Sequence, residues 1–114
     1  MKMLLSGKWV DRAAKIEVRN PFDGSVVDTV PSSDINDVEE ALSAAERGSA
    51  IMRKLTGYQR YEILQKVGDL MRDRADELSR IITLEEGKIV AEANMEATRA
   101  REIIVLSAEE AKRL

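Results

Sequence analysis

The sequence predicts a mainly α-helical fold with a β-hairpin region at its amino terminus. Short β-prone runs separated by turn residues occupy the first 31 positions, and apolar residues then recur at three- and four-residue spacing. The pattern changes at Pro31, which ends the extended part. We therefore predict a β-hairpin region over residues 1–31 and a helical region over residues 32–114, which together form one domain or part of one.

Four short runs in the first region predict strands. They are Met3–Leu5, Trp9–Val10, Ile16–Val18 and Val26–Val30. Asp23 and Gly24, preceded by Pro21, predict the turn between the last two strands, because Pro fixes its φ and Gly readily takes a positive φ. An isolated hairpin is only marginally stable, so this one is expected to lie on the helices or on a sheet outside these residues.

The first helix is predicted to begin after Ser33, whose hydroxyl would accept a hydrogen bond from a first-turn amide. Two ends remain open for this helix. Gly48 after Arg47 is one candidate, and the turn at Thr56–Gly57 is the other, since Ile51, Met52 and Leu55 extend the same apolar pattern.

The second helix is predicted to begin at Thr56, because Thr56 and Gln59 have the spacing of a capping box. A buried stripe is then predicted to run toward Gly87, with a kink near Asp73 where a residue of Asp73–Asp76 would cap a new helix. The stripe comprises Tyr61, Leu64, Val67, Met71, Ala75, Leu78 and Ile82. Gly87 is predicted to end the helix in a left-handed conformation, and the last helix should run from about Lys88.

Composition excludes several classes of function. Hydrophobic residues make up 44% of the chain and charged residues 34%, with a net charge of -3, so the surface carries both signs and does not favour nucleic acid. The chain has neither cysteine nor histidine, which excludes a disulfide, a thiolate nucleophile, an imidazole base and an ordinary zinc site within it. No apolar run reaches membrane-spanning length or forms a signal peptide, so we predict a cytoplasmic protein without a membrane partner.

Two local patterns have the spacing of a functional site, and for both we favour a structural interpretation. Glu92 and Glu96 lie four residues apart and have the spacing of paired carboxylates, but such pairs are common on solvated helix faces. Gly87 and Lys88 at a helix junction present amides and an ammonium to a phosphate, but one glycine and one lysine more often form a helix C-cap.

The order of these elements resembles the amino-terminal segment of the aldehyde dehydrogenase superfamily. The pieces that carry the resemblance are the opening strand and turn at residues 4–10, the asparagine-proline hairpin at 18–27, the first helix at 37–45, the helical positions between Arg60 and Leu78, and the run Leu84-Glu85-Glu86-Gly87-Lys88 followed by Glu92-Ala93. Ile89 departs from the pattern, because the family usually has proline after Gly-Lys. This departure concerns the local turn.

The resemblance implies a full-length enzyme several times longer that oxidises an aldehyde to a carboxylic acid with NAD or NADP. Its nucleophile would be a cysteine, which is absent here, so no catalytic or cofactor-binding residue is assigned and the chain alone should be inactive without a bound cofactor. The implied fold is a fragment of the α/β aldehyde dehydrogenase fold, within its cofactor-binding domain. The implied partners are the remainder of the dehydrogenase chain and further copies in a homo-oligomer.

The resemblance also implies one metal site, a structural monovalent cation. Its ligands would be the backbone carbonyls of Val18 and Arg19 and the carboxylate of Glu85.

Two readings from another class remain open at this stage. The helical stripes are also typical of a freestanding protein-interaction module or of a small self-associating regulatory protein. The aldehyde and the choice between NAD and NADP depend on residues beyond Leu114.

Overall fold

The computed structural model describes residues 1–113, which form four strands and four helices. These are β1 (Met3–Leu5), β2 (Lys8–Val10), β3 (Lys15–Arg19), β4 (Val26–Pro31), α1 (Ile35–Met52), α2 (Gly57–Asp73), α3 (Ala75–Glu86) and α4 (Val90–Ala111). The mainly α class with amino-terminal hairpins is confirmed. None of the helices described here combines the length and the apolar character needed to cross a membrane.

The chain divides into two compact units. The amino-terminal unit, Met1–Lys54, contains the four strands and α1, and the carboxy-terminal unit contains α2, α3 and α4 from Leu55 onward. The predicted change of secondary structure at Pro31 coincides with the end of β4, whereas the first compact unit also includes the helix that follows.

Both sheets in the first unit are antiparallel pairs. β1 pairs with β2 through a turn at Ser6 and Gly7, and β3 pairs with β4. In the second hairpin the N–H of Gly24 donates to the carbonyl of Asn20 at 2.8 Å, and Gly24 has a φ of 73°. The predicted turn is confirmed, since only a residue without Cβ takes that φ without strain.

The start of α1 corrects one prediction. The N-cap is Asp34, not Ser33: the Asp34 side chain accepts from the N–H of Asp37 at 3.0 Å, and the Asp37 side chain accepts from the N–H of Asp34 at 3.2 Å. Such a reciprocal pair needs a spacing of three residues, and Asp34, not Ser33, has that spacing from Asp37.

Of the two candidate ends of α1, the one at Gly48 is wrong. The helix continues to Met52, because a glycine inside a long helix costs only about 1 kcal/mol relative to alanine.

The capping box at Thr56 is confirmed. The N–H of Gln59 donates to Thr56 Oγ1 at 3.2 Å, and the N–H of Thr56 donates to Gln59 Oε1 at 2.9 Å.

The break near Asp73 is also confirmed, since α2 ends there and α3 begins at Ala75. The predicted aspartate cap is wrong: Arg74 occupies the N-cap position of α3 and makes no capping hydrogen bond through its side chain.

Helix α4 packs against both α2 and α3, and small residues mediate this packing. Ala93, Ala97 and Ala108 are buried on α4, while none of the large side chains described is fully buried. The stripe predicted as buried is covered only in part: Val67 is 39% exposed. The neighbours of α2 among the described residues, mainly α4, therefore cover only part of this stripe.

The exposed area is large for the mass of the chain. It amounts to 8469 Å² for a chain of 12.8 kDa. A compact monomer of that mass exposes about 6,300 Å², and two separate bodies of half the mass would together expose about 7,600 Å². The excess means that the elements present do not close a complete hydrophobic core.

Candidate functional site

Val18 and Arg19, the two predicted carbonyl ligands, lie side by side near the end of β3. A β-bulge interrupts the ladder between them: Val18 pairs with Asp28 and Arg19 with Val26. The extra residue of this bulge is Val27 on β4, which lies between the two partners, so the bulge by itself does not free the carbonyls of Val18 and Arg19. The side chain of Arg19 turns to the carbonyl of Gly24 at 2.9 Å and to the carboxylate of Glu17.

Glu85, the third predicted ligand, lies in the last turn of α3 and belongs to the carboxy-terminal unit. It is exposed, and no ion pair or hydrogen bond of its carboxylate is found among the described residues. The structure therefore brings Val18 and Arg19 together within one unit and places Glu85 in the other. Within residues 1–113 there is no group of three or more Asp, Glu, His or Cys side chains that would hold a metal ion.

The junction between α3 and α4 is organised by Gly87 and Lys88. Gly87 has a φ of 77°, and its N–H donates to the carbonyl of Thr83 at 3.0 Å, which confirms the left-handed C-cap. α4 begins two residues later than predicted, at Val90, because Ile89 is still extended. The chain thus turns between two helices within three residues.

The side chain of Lys88 bridges the two helices. Its Nζ lies 2.8 Å from the Glu86 carboxylate at the end of α3 and also pairs with Glu96 on α4. Hydrogen bonds to these two carboxylates raise the pKa of Lys88 above its ordinary value, with Glu86 making the larger contribution. The ammonium therefore stays charged. With its charge already paired twice, Lys88 is not poised for a phosphate, and the structural interpretation of Gly87–Lys88 holds.

The same ion pair decides between the two readings of Glu92 and Glu96. Both line an open groove of about 620 Å³ on α4, together with Lys88, Met95, Arg99, Ala100 and Ile103. Glu96 is paired with Lys88, so the two carboxylates do not form the matched acid and base that glycoside-type chemistry needs. A solvated, ion-paired helix face remains the better interpretation.

Replacing Gly87 by valine should lower the free energy of unfolding by about 1 kcal/mol or more, because a β-branched residue is strained at positive φ. Thermal unfolding followed by circular dichroism measures this loss. Gly87→Asn is the matched control and should cost less, since asparagine tolerates the left-handed conformation. Equal stability of the valine variant and the wild type would show that the cap is not required.

Sequence reasoning missed the close approach of α2 to α4. A Cβ on Gly57 would lie 2.4 Å from the Ala111 carbonyl oxygen, and one on Gly68 would lie 2.9 Å from Val105 Cγ2. The Nε of Arg101 donates to the Gly68 carbonyl at 3.2 Å, and Lys112 Nζ lies 3.7 Å from the centre of the Tyr61 ring. A glycine in the middle of a predicted helix was the available signal for this packing.

Comparison with known proteins identifies the family. A profile of the aldehyde dehydrogenase family matches residues 9–114. The chain belongs to this family. Among curated aldehyde dehydrogenases, the NADP-dependent succinate-semialdehyde dehydrogenase GabD of Escherichia coli is 37% identical over 113 residues, which are 97% of this chain and 23% of that enzyme. A glutarate-semialdehyde dehydrogenase of Pseudomonas putida is 37% identical over 112 residues, or 96% of this chain and 23% of the relative.

Solved aldehyde dehydrogenase structures agree with this assignment. An aldehyde dehydrogenase of Brucella melitensis biovar abortus 2308 superposes with a TM-score of 0.94 at 40% identity, over 98% of this chain and 24% of that one. A succinate-semialdehyde dehydrogenase of Burkholderia pseudomallei gives a TM-score of 0.93 at 34% identity, over 98% and 24%. The chain thus spans about a quarter of the length of its relatives and is a fragment of their fold, which disfavours a freestanding interaction module.

Proposed function

We propose that this chain is the amino-terminal part of an NAD(P)-dependent aldehyde dehydrogenase that oxidises an aldehyde to a carboxylic acid. Its role there is to support the cofactor-binding domain. The observation that carries the proposal is the asymmetry of the match: the relatives align with 96–97% of this chain, but the chain covers only 23% of them.

The reacting groups are placed by this proposal in the other three quarters of the enzyme. The chain contains no cysteine to serve as nucleophile. The two sheets described are two-stranded and antiparallel, and none of the described strands leads through a glycine-rich turn into a helix as a dinucleotide site requires. The residues present therefore do not fit the nicotinamide cofactor, whose part in the reaction is to accept a hydride.

A groove beside α3 and α4 contains a buried hydroxyl. Thr83 Oγ1 is buried and has no hydrogen-bond partner among the described residues. It lines a groove of about 360 Å³ beside α3 and α4, together with Ser79, Arg80, Val90 and Asn94. A buried hydroxyl without a partner is unfavourable, so a water or a polar group from outside residues 1–113 is expected in this groove.

The substrate class that we propose is a short aldehyde carrying an anionic group. Three relatives at 33–37% identity are named for succinate semialdehyde, glutarate semialdehyde and 3-sulfolactaldehyde, each of which bears a carboxylate or a sulfonate. We propose both NAD and NADP as candidate cofactors, because the relatives include an enzyme named for NADP and structures named for NAD.

The predicted cation site is retained as part of the proposal. Backbone carbonyls and a carboxylate are hard oxygen donors, which suit hard cations. The exposed carboxylate of Glu85, for which no ion pair or hydrogen bond is found among the described residues, supports it. The cation would be structural and takes no part in the reaction.

Homo-oligomer formation and a cytoplasmic location also remain proposals. The exposed apolar residues support the first, since a surface of this kind is usually covered by further protein. The lack of cysteine and the mixed-sign surface are compatible with the second.

The test is a pair of measurements. The chain alone, mixed with succinate semialdehyde and either cofactor, should give no reduced cofactor above the blank, because the thiol nucleophile is absent. A chimera in which this chain replaces the matching segment of the Escherichia coli enzyme should oxidise the same substrate. We expect its rate to lie within about tenfold of the intact relative, which allows for about 1.4 kcal/mol of imperfect positioning.

The control for the chimera is the same enzyme with its amino-terminal segment deleted, which should be insoluble or inactive. Turnover by the chain alone would refute the placement of the chemistry elsewhere. A soluble, folded chimera without activity would refute the proposal that this segment supports the dehydrogenase.

A further inference from the structure

Helix α1 has two different faces. On one face, Asp37 is buried and is held by the guanidinium of Arg12, which lies in the loop after β2. Within its unit α1 packs against β1. The other face carries an apolar stripe that this packing does not cover. Its large members, with their exposed fractions, are Ile35 (69%), Val38 (45%), Leu42 (60%) and Met52 (44%).

The stripe follows the spacing of a single helix face. Its positions are separated by three and four residues from Ile35 to Leu42 and continue through Ala45 to Met52. Neighbouring positions such as Glu39, Ser43 and Glu46 are polar and exposed. A helix with this separation of apolar and polar residues is expected to bury its apolar face against another body, because contiguous exposed apolar patches are rare on soluble monomers.

A second copy of α1 fits this stripe poorly. A coiled coil needs an apolar seam sustained over at least three to four heptads. Here the seam spans the 18 residues of α1 and is weakened in its second half by Ala45 and Ser49. Glu39 and Glu46 flank the stripe and would bring like charges to the border of a symmetric contact.

The part of the dehydrogenase fold that this chain does not cover is a better occupant. The curated relatives are about four times as long as this chain, and a solved structure with the same fold contains this segment inside one longer chain with a TM-score of 0.94. We propose that the α1 stripe is the surface on which the remainder of the dehydrogenase chain docks. This inference rests on the proposed function and assigns its contact surface.

Leu42→Glu tests the assignment, with Ser43→Glu as the matched control. Both changes add one negative charge at adjacent exposed positions of α1, and glutamate and leucine have similar helix propensities. In the isolated chain, neither variant should change the thermal midpoint measured by circular dichroism. In the chimera with the Escherichia coli enzyme, Leu42→Glu should lower the midpoint by about 5 °C or more or make the protein insoluble, whereas Ser43→Glu should leave it unchanged.

The possible results separate this inference from the proposed function. An active chimera that tolerates Leu42→Glu as well as Ser43→Glu overturns the docking surface and leaves the proposed function intact. Destabilisation of the isolated chain by Leu42→Glu also overturns it, since Leu42 would then pack within the chain. A folded but inactive chimera that Leu42→Glu still disrupts supports the docking surface and counts against the proposed function alone.

Discussion

Replacement of Gly57 by alanine is expected to destabilise the carboxy-terminal unit by about 1–3 kcal/mol, the range found when an atom is forced into a packed contact. The new Cβ would lie 2.4 Å from the carbonyl oxygen of Ala111. A backbone carbonyl in the last turn of α4 does not rotate aside as a side chain does, so α2 and α4 have to separate. Thermal or urea unfolding followed by helical circular dichroism measures the change.

Gly48→Ala is the control for this prediction. Gly48 also lies inside a helix, but a Cβ there meets nothing within 4 Å. Alanine should therefore stabilise α1 by about 0.5–1 kcal/mol through its better helix propensity. The two glycine-to-alanine changes are expected to have opposite signs. A gain in stability at both positions would mean that the contact between Gly57 and Ala111 is absent in solution.

Asp37→Ala is expected to have the second large effect, on the amino-terminal unit. The Asp37 carboxylate is buried, accepts hydrogen bonds from Arg12 Nε at 3.2 Å and from the Asp34 N–H, and also pairs with the outer guanidinium nitrogen of Arg12. Truncation removes the capping box and leaves Arg12 without its carboxylate. We expect the thermal midpoint to fall by several degrees, whereas Glu40→Ala at an exposed position of the same helix should change it little.

The pH dependence provides an independent test of this contact. The pKa of Asp37 lies below its ordinary value of 3.8. The main cause is the hydrogen bond from the Arg12 side chain, and the hydrogen bond from the Asp34 N–H contributes less. Because the folded pKa is the lower one, the stabilisation is complete above the ordinary value and is lost as the pH falls below it toward the folded pKa. The difference in midpoint between the wild type and Asp37→Ala should therefore shrink in acid. A difference that is the same at pH 7 and in strong acid would contradict this assignment.

Local features that depend on two or three neighbouring residues were predicted well. The Thr56–Gln59 capping box, the turn at Gly24 and the left-handed cap at Gly87 are all confirmed. Each is determined by the chemistry of a short segment, a side chain of the right length or a missing Cβ, and so it is readable in isolation. The cap of α1 was assigned one residue too early because Ser33 and Asp34 are both good caps, and only the geometry of Asp37 distinguishes them.

The candidate site was less accessible to local reasoning. Val18, Arg19 and Glu85 were assigned through a family resemblance, since no spacing rule connects two strand carbonyls with a carboxylate more than sixty residues later. The ion pair of Lys88 with Glu96 joins the α3–α4 junction to a residue eight positions later on α4, and the residue pattern does not specify this contact.

The sequence by itself determined the class of fold, the boundaries marked by Pro31, Thr56 and Gly87, and the absence of a thiol nucleophile, because these depend on residue type and local backbone preference. Only the tertiary structure decided which faces of the helices are covered. Gly57 and Gly68 let α2 approach α4 closely. Val67 on α2 and Leu42 on α1 stay exposed, although both fit the apolar pattern of their helix. Periodicity shows that a helix has an apolar face, whereas the neighbour that covers the face depends on residues distant in the chain or outside it.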